Sequence, residues 1–317
     1  MLEIFKTQTD KTLKVMSPKT PEPGCWFNMI KPTGDEIKAV TDAIGIDADF
    51  LRDSLDIEER SRIELEGNNM LMIINVPIME DENSFDTLPL GIIVTPDYLV
   101  TIALRENKII SFFNEDTAKI FDTNQRTNFI FQILTRSTRF YLRYLEHINK
   151  LTDQIEINLR KTMKNKALFQ LFEVQKSLVY FTTALKDNGI VLEKLMRQKK
   201  FAAVQEIIQF TEDDEDTLED VIVENKQALE MVEMHRHILE NMMDVFASII
   251  SNNLNVVMKF LTTMTILLAI PTLIASYWGM NVPVPFSNAT FGFAYVVIFS
   301  VLAAVVIGFL LLKKDMF

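Results

Sequence analysis

Residues 260–278 read FLTTMTILLAIPTLIASYW, and residues 279–285 continue as GMNVPVP. The first stretch is uncharged and long enough to cross about 30 Å of hydrocarbon at ~1.5 Å per residue. It is also rich in hydroxyls, with Thr262, Thr263, Thr265, Thr272 and Ser276, and Pro271 is expected to kink it. A second apolar stretch, FGFAYVVIFSVLAAVVIGFLLL at 291–312, follows a short connection. Between residues 260 and 312 there is no Asp, Glu, Lys or Arg. A buried hairpin of a soluble protein needs a charged outer face, which neither segment has. The two therefore read as transmembrane helices over 260–278 and 291–312, joined by a loop over 279–290.

Basic residues set the expected orientation. Lys259 precedes the first span, Lys313 and Lys314 follow the second, and the loop carries none. The positive-inside rule then puts both termini in the cytoplasm of a multi-pass protein of the cytoplasmic membrane.

Elsewhere the chain is acidic, with 43 Asp and Glu against 32 Lys and Arg and a net charge of −11 in 317 residues. An apolar content of 48% coexists with 24% charged residues because the two are segregated. The acidity argues against nucleic-acid binding, which needs clustered Lys and Arg, and is compatible with divalent cations. The N-terminal MLEIFKTQTDKTLKVMS interleaves Lys and Asp with apolar residues and lacks the pattern of a signal peptide. A single cysteine, Cys25, excludes an intramolecular disulfide, suits a reducing compartment and reads as core. His235 and His237 stand two residues apart and so share no helix face. They read as stalk or surface residues, and no nucleophile–base or metal-ligand constellation suggests an enzyme.

Ahead of the spans, residues 1–123 read as an α/β domain. WFNMI, MLMIINVPI, LPLGIIV and YLVTIAL are strand candidates. TGDEIKAVTDAIG opens with Thr33 and Glu36 in capping-box spacing, and DENSFD reads as an acidic hairpin loop. Residues 124–258 read as helical, with helices to near Met163, from Lys166 to near Arg197, and from about Thr217 onward as a stalk. The last has no proline before Pro271 and no glycine before Gly279, so it is expected to run into the first span unbroken. It carries two apolar stripes, one through Leu229, Val232, Leu239, Met243, Phe246 and Ile250, the other through Met231, Ile238, Met242, Val245 and Ile249. Two stripes suggest packing on the chain's own body and on neighbouring copies. Residues 259–317 complete the chain as the transmembrane domain.

Along the same helix Asn255, Met258, Thr262, Thr265, Ala269, Thr272, Ser276 and Gly279 recur at steps of three and four, with Leu261 adjoining. Such a stripe of small and hydroxyl residues either packs helices closely or lines a wet path.

Gly279-Met280-Asn281, placed after the first of two C-terminal spans, resembles the signature of the CorA family of divalent-cation transporters. LEDVIVENKQALEMVEMHRHILENMMDVFASIISNNLNVVMKFL resembles that family's stalk helix, and EERSRIELEGNNMLMIINVP a strand pair of its N-terminal domain. The resemblance implies a homopentameric funnel: an α/β cytoplasmic N-terminal domain, a long helical stalk and two C-terminal transmembrane helices, the first lining the pore. It implies that Asn281 forms the outer ring, with Gly279 allowing a tight turn and Met280 packing the loop. Asn255 and Met258 fall at the cytoplasmic end, Leu261 and Thr262 near the hydrophobic constriction, and the stripe becomes pore lining. It further implies that the family's bridging acid on the stalk is Asp220. This acid would hold regulatory Mg²⁺ against a neighbouring subunit's acid, for which Asp81, Glu82 and Asp86 are candidates. The expected cargo is Mg²⁺, with Co²⁺ or Ni²⁺ possible cargo as well.

Two positions depart from the family pattern. VPVPFSNATF after the tripeptide has no carboxylate to concentrate cations, and Trp278 replaces a frequent Tyr. These leave open transport mainly of Co²⁺, Ni²⁺ or Zn²⁺. A non-conducting, membrane-anchored metal sensor or scaffold is the rival from another class.

Overall fold

Seven strands, β1 (Leu2–Thr7), β2 (Leu13–Val15), β3 (Trp26–Ile30), β4 (Arg62–Glu66), β5 (Asn69–Asp81), β6 (Ser84–Val94) and β7 (Leu99–Ala103), form one sheet in the order β2-β1-β3-β7-β6-β5-β4. Only β3 and β7 run parallel. The computed structural model describes the chain apart from residues 19, 82, 163–164, 287–289 and 315–317 and the side chains of 161, 162 and 165. The described chain divides into two units, Met1–Glu240 and Asn241–Phe317.

In the first unit, helices α1 (Gly34–Ile44) and α2 (Ala48–Asp53) cover one face of the sheet. Cys25, Phe27, Met29, Leu71, Ile73, Val100 and Ile102 meet Ile37, Val40, Phe50 and Leu51 there in one buried cluster. Alternate side chains of the same strands point the other way. Trp26 is fully buried on that side, its ring centroid 5.0 Å from that of Phe129 and its Nε1 donating to Thr101 Oγ1 at 2.9 Å. Helices α3 (Arg126–Thr162) and α4 (Asn165–Gln198) lie against β5 and β6. With helices on both faces, the strands are buried twice over, which is why they read as nearly continuous apolar runs.

A buried polar knot ties these layers together. The Asn188 Oδ1 accepts from Asn75 N at 2.9 Å and from Ser61 Oγ at 2.8 Å, and its Nδ2 donates to Asn75 O at 2.8 Å. The Tyr141 hydroxyl donates to the same carbonyl at 2.8 Å. The half-buried Asn75 thus has its backbone N–H and carbonyl matched from α3 and α4, while its Nδ2 donates to Ser61 Oγ at 3.0 Å.

The expected strands correspond to β3, β5, β6 and β7, and Thr33 caps α1 with the reciprocal Glu36 bond. Two readings need correction. The hairpin loop is tighter than DENSFD: Asp81 ends β5, and Asp86 lies within β6 opposite Ile78. Glu82 lies outside the described residues. After the short α5 (Ala202–Gln205), helix α6 (Glu212–Trp278) starts at Glu212, inside the acidic run rather than near Thr217. The reason is a cap: Thr211 N donates to Asp214 Oδ2 at 3.0 Å, and Asp214 N to Thr211 Oγ1 at 3.2 Å. Four acids then occupy the first turn, where the helix dipole favours them.

The second unit holds the end of α6 and helix α7 (Gly292–Lys313). α6 continues as helix through Pro271, whose missing N–H leaves the Leu267 carbonyl without its usual partner. Both helices are long and apolar enough to cross a membrane, and only 6% of each apolar window is buried. A soluble core helix would be mostly covered, so this exposure goes with a lipid-facing or oligomeric surface.

Candidate functional site

The transmembrane part of α6 has two unlike faces. Thr263 is fully buried, and Leu267, Ile270, Pro271, Ile274 and Trp278 are half-buried. This face meets α7: a Cβ on Gly308 would come 3.3 Å from Leu267 Cδ2, and one on Gly292 would come 3.6 Å from Trp278 Cζ2. At ~100° per residue, Thr262, Thr265, Ala269, Thr272 and Ser276 lie on roughly the opposite side of the helix. All five are exposed, as are Asn255, Met258, Leu261 and Gly279. The stripe is therefore not what packs α6 against α7.

The hydroxyls on this face are oriented by their own helix. Thr265 Oγ1 donates to Leu261 O and Thr272 Oγ1 to Leu268 O, each at 2.8 Å. Their protons are engaged by the backbone, and the oxygen lone pairs face outward as acceptors.

The GMN segment follows directly. Gly279 N still bonds Ala275 O at 2.9 Å, and Met280 N closes on Tyr277 O at 3.4 Å, so the helix ends by tightening its last turn. Gly279 is not among the glycines at positive φ, which corrects the expectation of a turn that only glycine allows. Met280 is 54% exposed and does not pack the loop within one chain. Asn281 is exposed, and its amide has no hydrogen-bond partner among the described residues. Its oxygen is left free to accept.

The left-handed turn lies further on, at Phe286, with φ of 69°. There the Trp278 Nε1 donates to Pro285 O at 3.0 Å, and the Phe286 ring lies 6.0 Å from that of Tyr295. The Phe286 carbonyl approaches Gly292 so closely that a Cβ would stand 2.3 Å from the oxygen. This strap from α6 to the start of α7 gave no signal in sequence. An indole, a proline and a glycine become a unit only when their spacing in space is known.

Of the expected regulatory acids, Asp220 is exposed in the early turns of α6 and Asp81 is exposed at the end of β5. Asp86 is half-buried, and its Oδ1 accepts from Thr87 N at 2.7 Å. It lies close enough to Tyr141 to reinforce the upward push that burial gives that phenol's pKa. Among the described residues no three His, Cys, Asp or Glu converge as a metal site within one chain. On the stalk, His235 is buried at 8% exposure, while His237 is exposed and 3.5 Å from Glu240. Buried on the same helix face as His235 are Val232 and Leu239, whereas Ile238 of the other apolar stripe is 45% exposed.

The sequence pattern described as CorA-like Mg²⁺ transporter protein matches residues 22–314. The chain belongs to the CorA family. The cobalt/magnesium transport protein CorA of Methanocaldococcus jannaschii is 28% identical over 277 residues, 84% of this chain and 83% of its own. The protein of the same name from Thermotoga maritima is 24% identical over 297 residues, 88% of this chain and 78% of its own. The complete structure of the M. jannaschii CorA magnesium transporter superposes with a TM-score of 0.83 at 25% identity, covering 99% of this chain and 98% of that one. The likeness bears out an α/β N-terminal domain, a long helix and two apolar C-terminal helices. CorA proteins are membrane ion transporters and not enzymes.

Proposed function

We propose that this chain carries Mg²⁺ across the cytoplasmic membrane as a homopentamer, with the stripe from Asn255 to Gly279 lining the pore and Asn281 ringing its outer mouth. The observation that carries the proposal is the division of α6. Its α7-facing side is already occupied, and the opposite side offers exposed hydroxyl oxygens in the middle of an apolar helix. In hydrocarbon, such a face needs either water or partner helices to satisfy it, and a ring of copies around water supplies both. The exposed stalk stripe through Ile238 and Val245 supports packing between copies.

The chemistry follows from the ion. Mg²⁺ gives up water reluctantly, so a conducting path can hold it by its hydration shell. Coordinated waters present their hydrogens outward, and the Asn281 amide oxygen and the Thr265 and Thr272 hydroxyl oxygens accept from them. No carboxylate on this face binds the ion tightly enough to slow its release. The names of the M. jannaschii and T. maritima relatives, cobalt/magnesium transport proteins, support Mg²⁺ with Co²⁺ as second cargo. Ni²⁺, of similar size and hydration, belongs in the same test.

Regulation is assigned to Asp220, exposed early on α6, bridging through Mg²⁺ to an acid of a neighbouring copy. Asp81, exposed at the end of β5, is freer for that role than Asp86, whose Oδ1 accepts from Thr87 N within β6, and Glu82 remains a candidate by sequence. Cytoplasmic Mg²⁺ would hold copies together by screening five chains of net charge −11, and its loss would let them splay. Both chain termini would then be cytoplasmic.

Purified protein in liposomes with an internal Mg²⁺ dye tests the reading. Flux in wild type and its loss in Asn281→Ala are expected. Absence of flux in wild type would favour a membrane-anchored sensor, and undiminished flux in Asn281→Ala would remove Asn281 from the mechanism. The same liposomes challenged with Co²⁺, Ni²⁺ and Zn²⁺ rank the cargo.

A further inference from the structure

In a chain with 43 acids and 32 Lys and Arg, most cations should find a carboxylate. One stretch of α3 does not follow this balance. Two adjoining cavities, of about 470 Å³ and 360 Å³, open beside it and share Phe140 and Arg143 in their walls. Arg136 and Arg139 line the larger, while Lys108, His147 and Lys150 line the smaller together with one acid, Glu146. On α3 the basic positions 136, 139, 143, 147 and 150 recur at steps of three and four, which places them along one side of the helix. Among the described residues, Lys108, Arg136, Arg143 and Lys150 form no ion pair, and Arg139 reaches only Glu224 at 3.8 Å.

Arg136 is held in place without any anion. Its guanidinium carbon lies 3.4 Å from the centroid of Phe112 and 5.2 Å from that of Phe140. Its Nε is buried with no hydrogen-bond partner. Burial, and then the like charge of Arg143, lower its pKa, so the cation is one that an anion would relieve. Beside it the Gln132 amide donates to Asn128 Oδ1 at 2.7 Å and Ile120 O at 3.2 Å, and its Oε1 is buried and unpartnered. A charged group desolvated without a partner is costly, and one that lines a cavity is a candidate ligand site.

We propose that this groove binds a phosphate-bearing oligoanion, either a nucleoside polyphosphate or an inorganic polyphosphate. The planar forks of Arg136 and Arg143 match phosphate oxygens in the larger cavity, and Lys108 and Lys150 extend the positive track into the smaller one. A lone carboxylate would neutralise one cation and leave the rest unpaired. A long nucleic acid is disfavoured by the chain's overall negative charge. Thr217 of α6 forms part of the wall, and Glu224 of α6 shares Arg139 with the groove. A bound anion competes with Glu224 for Arg139 and so acts directly on the helix proposed to line the pore.

The test is calorimetric titration of the full-length protein in detergent with sodium tripolyphosphate and, separately, sodium ATP. The buffer holds EDTA and no divalent ion, so that chelation of Mg²⁺ contributes nothing. Saturable binding of both is expected, weakening several-fold between about 50 and 200 mM NaCl as the charges are screened. Equal affinities assign binding to the phosphates, and a tighter ATP adds the base. Arg136→Gln with Arg143→Gln should weaken binding at least ~10-fold, given that charge-assisted bidentate contacts are lost. Arg136→Lys should recover part of it, and Lys31→Gln should leave it unchanged. Lys108→Gln with Lys150→Gln, both on the exposed side, gives an independent loss if the arginine variant melts early. No saturable binding to wild type at millimolar ligand would overturn the proposal, as when the groove is filled by an acidic segment of a second copy. Undiminished binding in both double variants would overturn it as well. The outcome does not depend on ion flux, so it stands or falls apart from the pore assignment.

Discussion

The indole of Trp278 donates to the carbonyl oxygen of Pro285 at 3.0 Å, closing the segment that carries Asn281 into a loop with fixed ends. Trp278→Phe keeps most of the ring and removes the donor. The lost bond should cost about 0.5–1.5 kcal/mol, visible as a lower melting temperature in detergent. If Asn281 acts at the mouth, Mg²⁺ flux should fall with it, and Trp278→Ala should fall further.

Gly292 tests the same strap from the other side. A Cβ there would stand 2.3 Å from the Phe286 carbonyl oxygen, a distance that backbone cannot absorb without moving. Gly292→Ala should therefore displace Phe286 and lower stability by more than the Trp278→Phe change. Tryptophan fluorescence reports the displacement, since Trp278 and Trp26 are the only two indoles and Trp26 lies in the sheet.

Thr272→Val keeps the shape of the side chain and removes its oxygen. On the proposed pore face this should reduce Mg²⁺ flux severalfold in liposomes, while Thr272→Ser retains it. Thr263→Val, on the buried side facing α7, serves as the contrast: its effect should appear in stability before flux.

His235 gives a pH dependence with a definite sign. Burial holds its pKa below the ordinary value, and the Asp153 carboxylate only partly opposes this. Between the folded pKa and the ordinary ~6.5, the unfolded chain binds the proton and the folded chain does not. Stability from this residue is full above about pH 6.5 and is lost as pH falls toward the folded pKa. His235→Gln should flatten the melting-temperature profile between about pH 7.5 and pH 5.5. His237→Gln is the exposed control.

Asn188→Ala removes the oxygen that Asn75 N and Ser61 Oγ share and leaves both without that acceptor in the interior. A cost of about 1–3 kcal/mol is expected, read by denaturation of the full protein. Tyr141→Phe, which removes one of two donors to Asn75 O, should cost less.

The spans were legible because charge vanishes over 260–312, and no pattern internal to a soluble domain does that. The hydroxyl stripe was legible by count, but that it does not pack against the chain's own α7 shows only when α7 is seen to occupy the other face. β1 was not legible. Its anchoring bonds, Thr7 N to Thr123 Oγ1 at 2.9 Å and Thr123 N to Thr7 Oγ1 at 3.1 Å, join residues far apart in sequence. The start of α6 was missed for a local reason. Thr211 and Asp214 stand in capping spacing, but a run so rich in acids reads as a solvated approach to a helix unless one acid is known to turn inward. The turn expected at Gly279 was a backbone matter that sequence could not settle: the residue follows α6 without a positive φ.

Thr265 and Thr272 return their hydroxyl protons to their own backbone, and that detail bears on sign discrimination. A solvated cation turns hydrogens toward its surroundings, whereas a solvated anion turns oxygens. On the face proposed to line the pore, these two hydroxyls offer lone pairs and no free proton, and so favour the first over the second by dipole orientation. In the proposed pore, hydroxyls oriented by helix geometry rather than ionised groups would then bias passage against chloride without a single acid in the membrane.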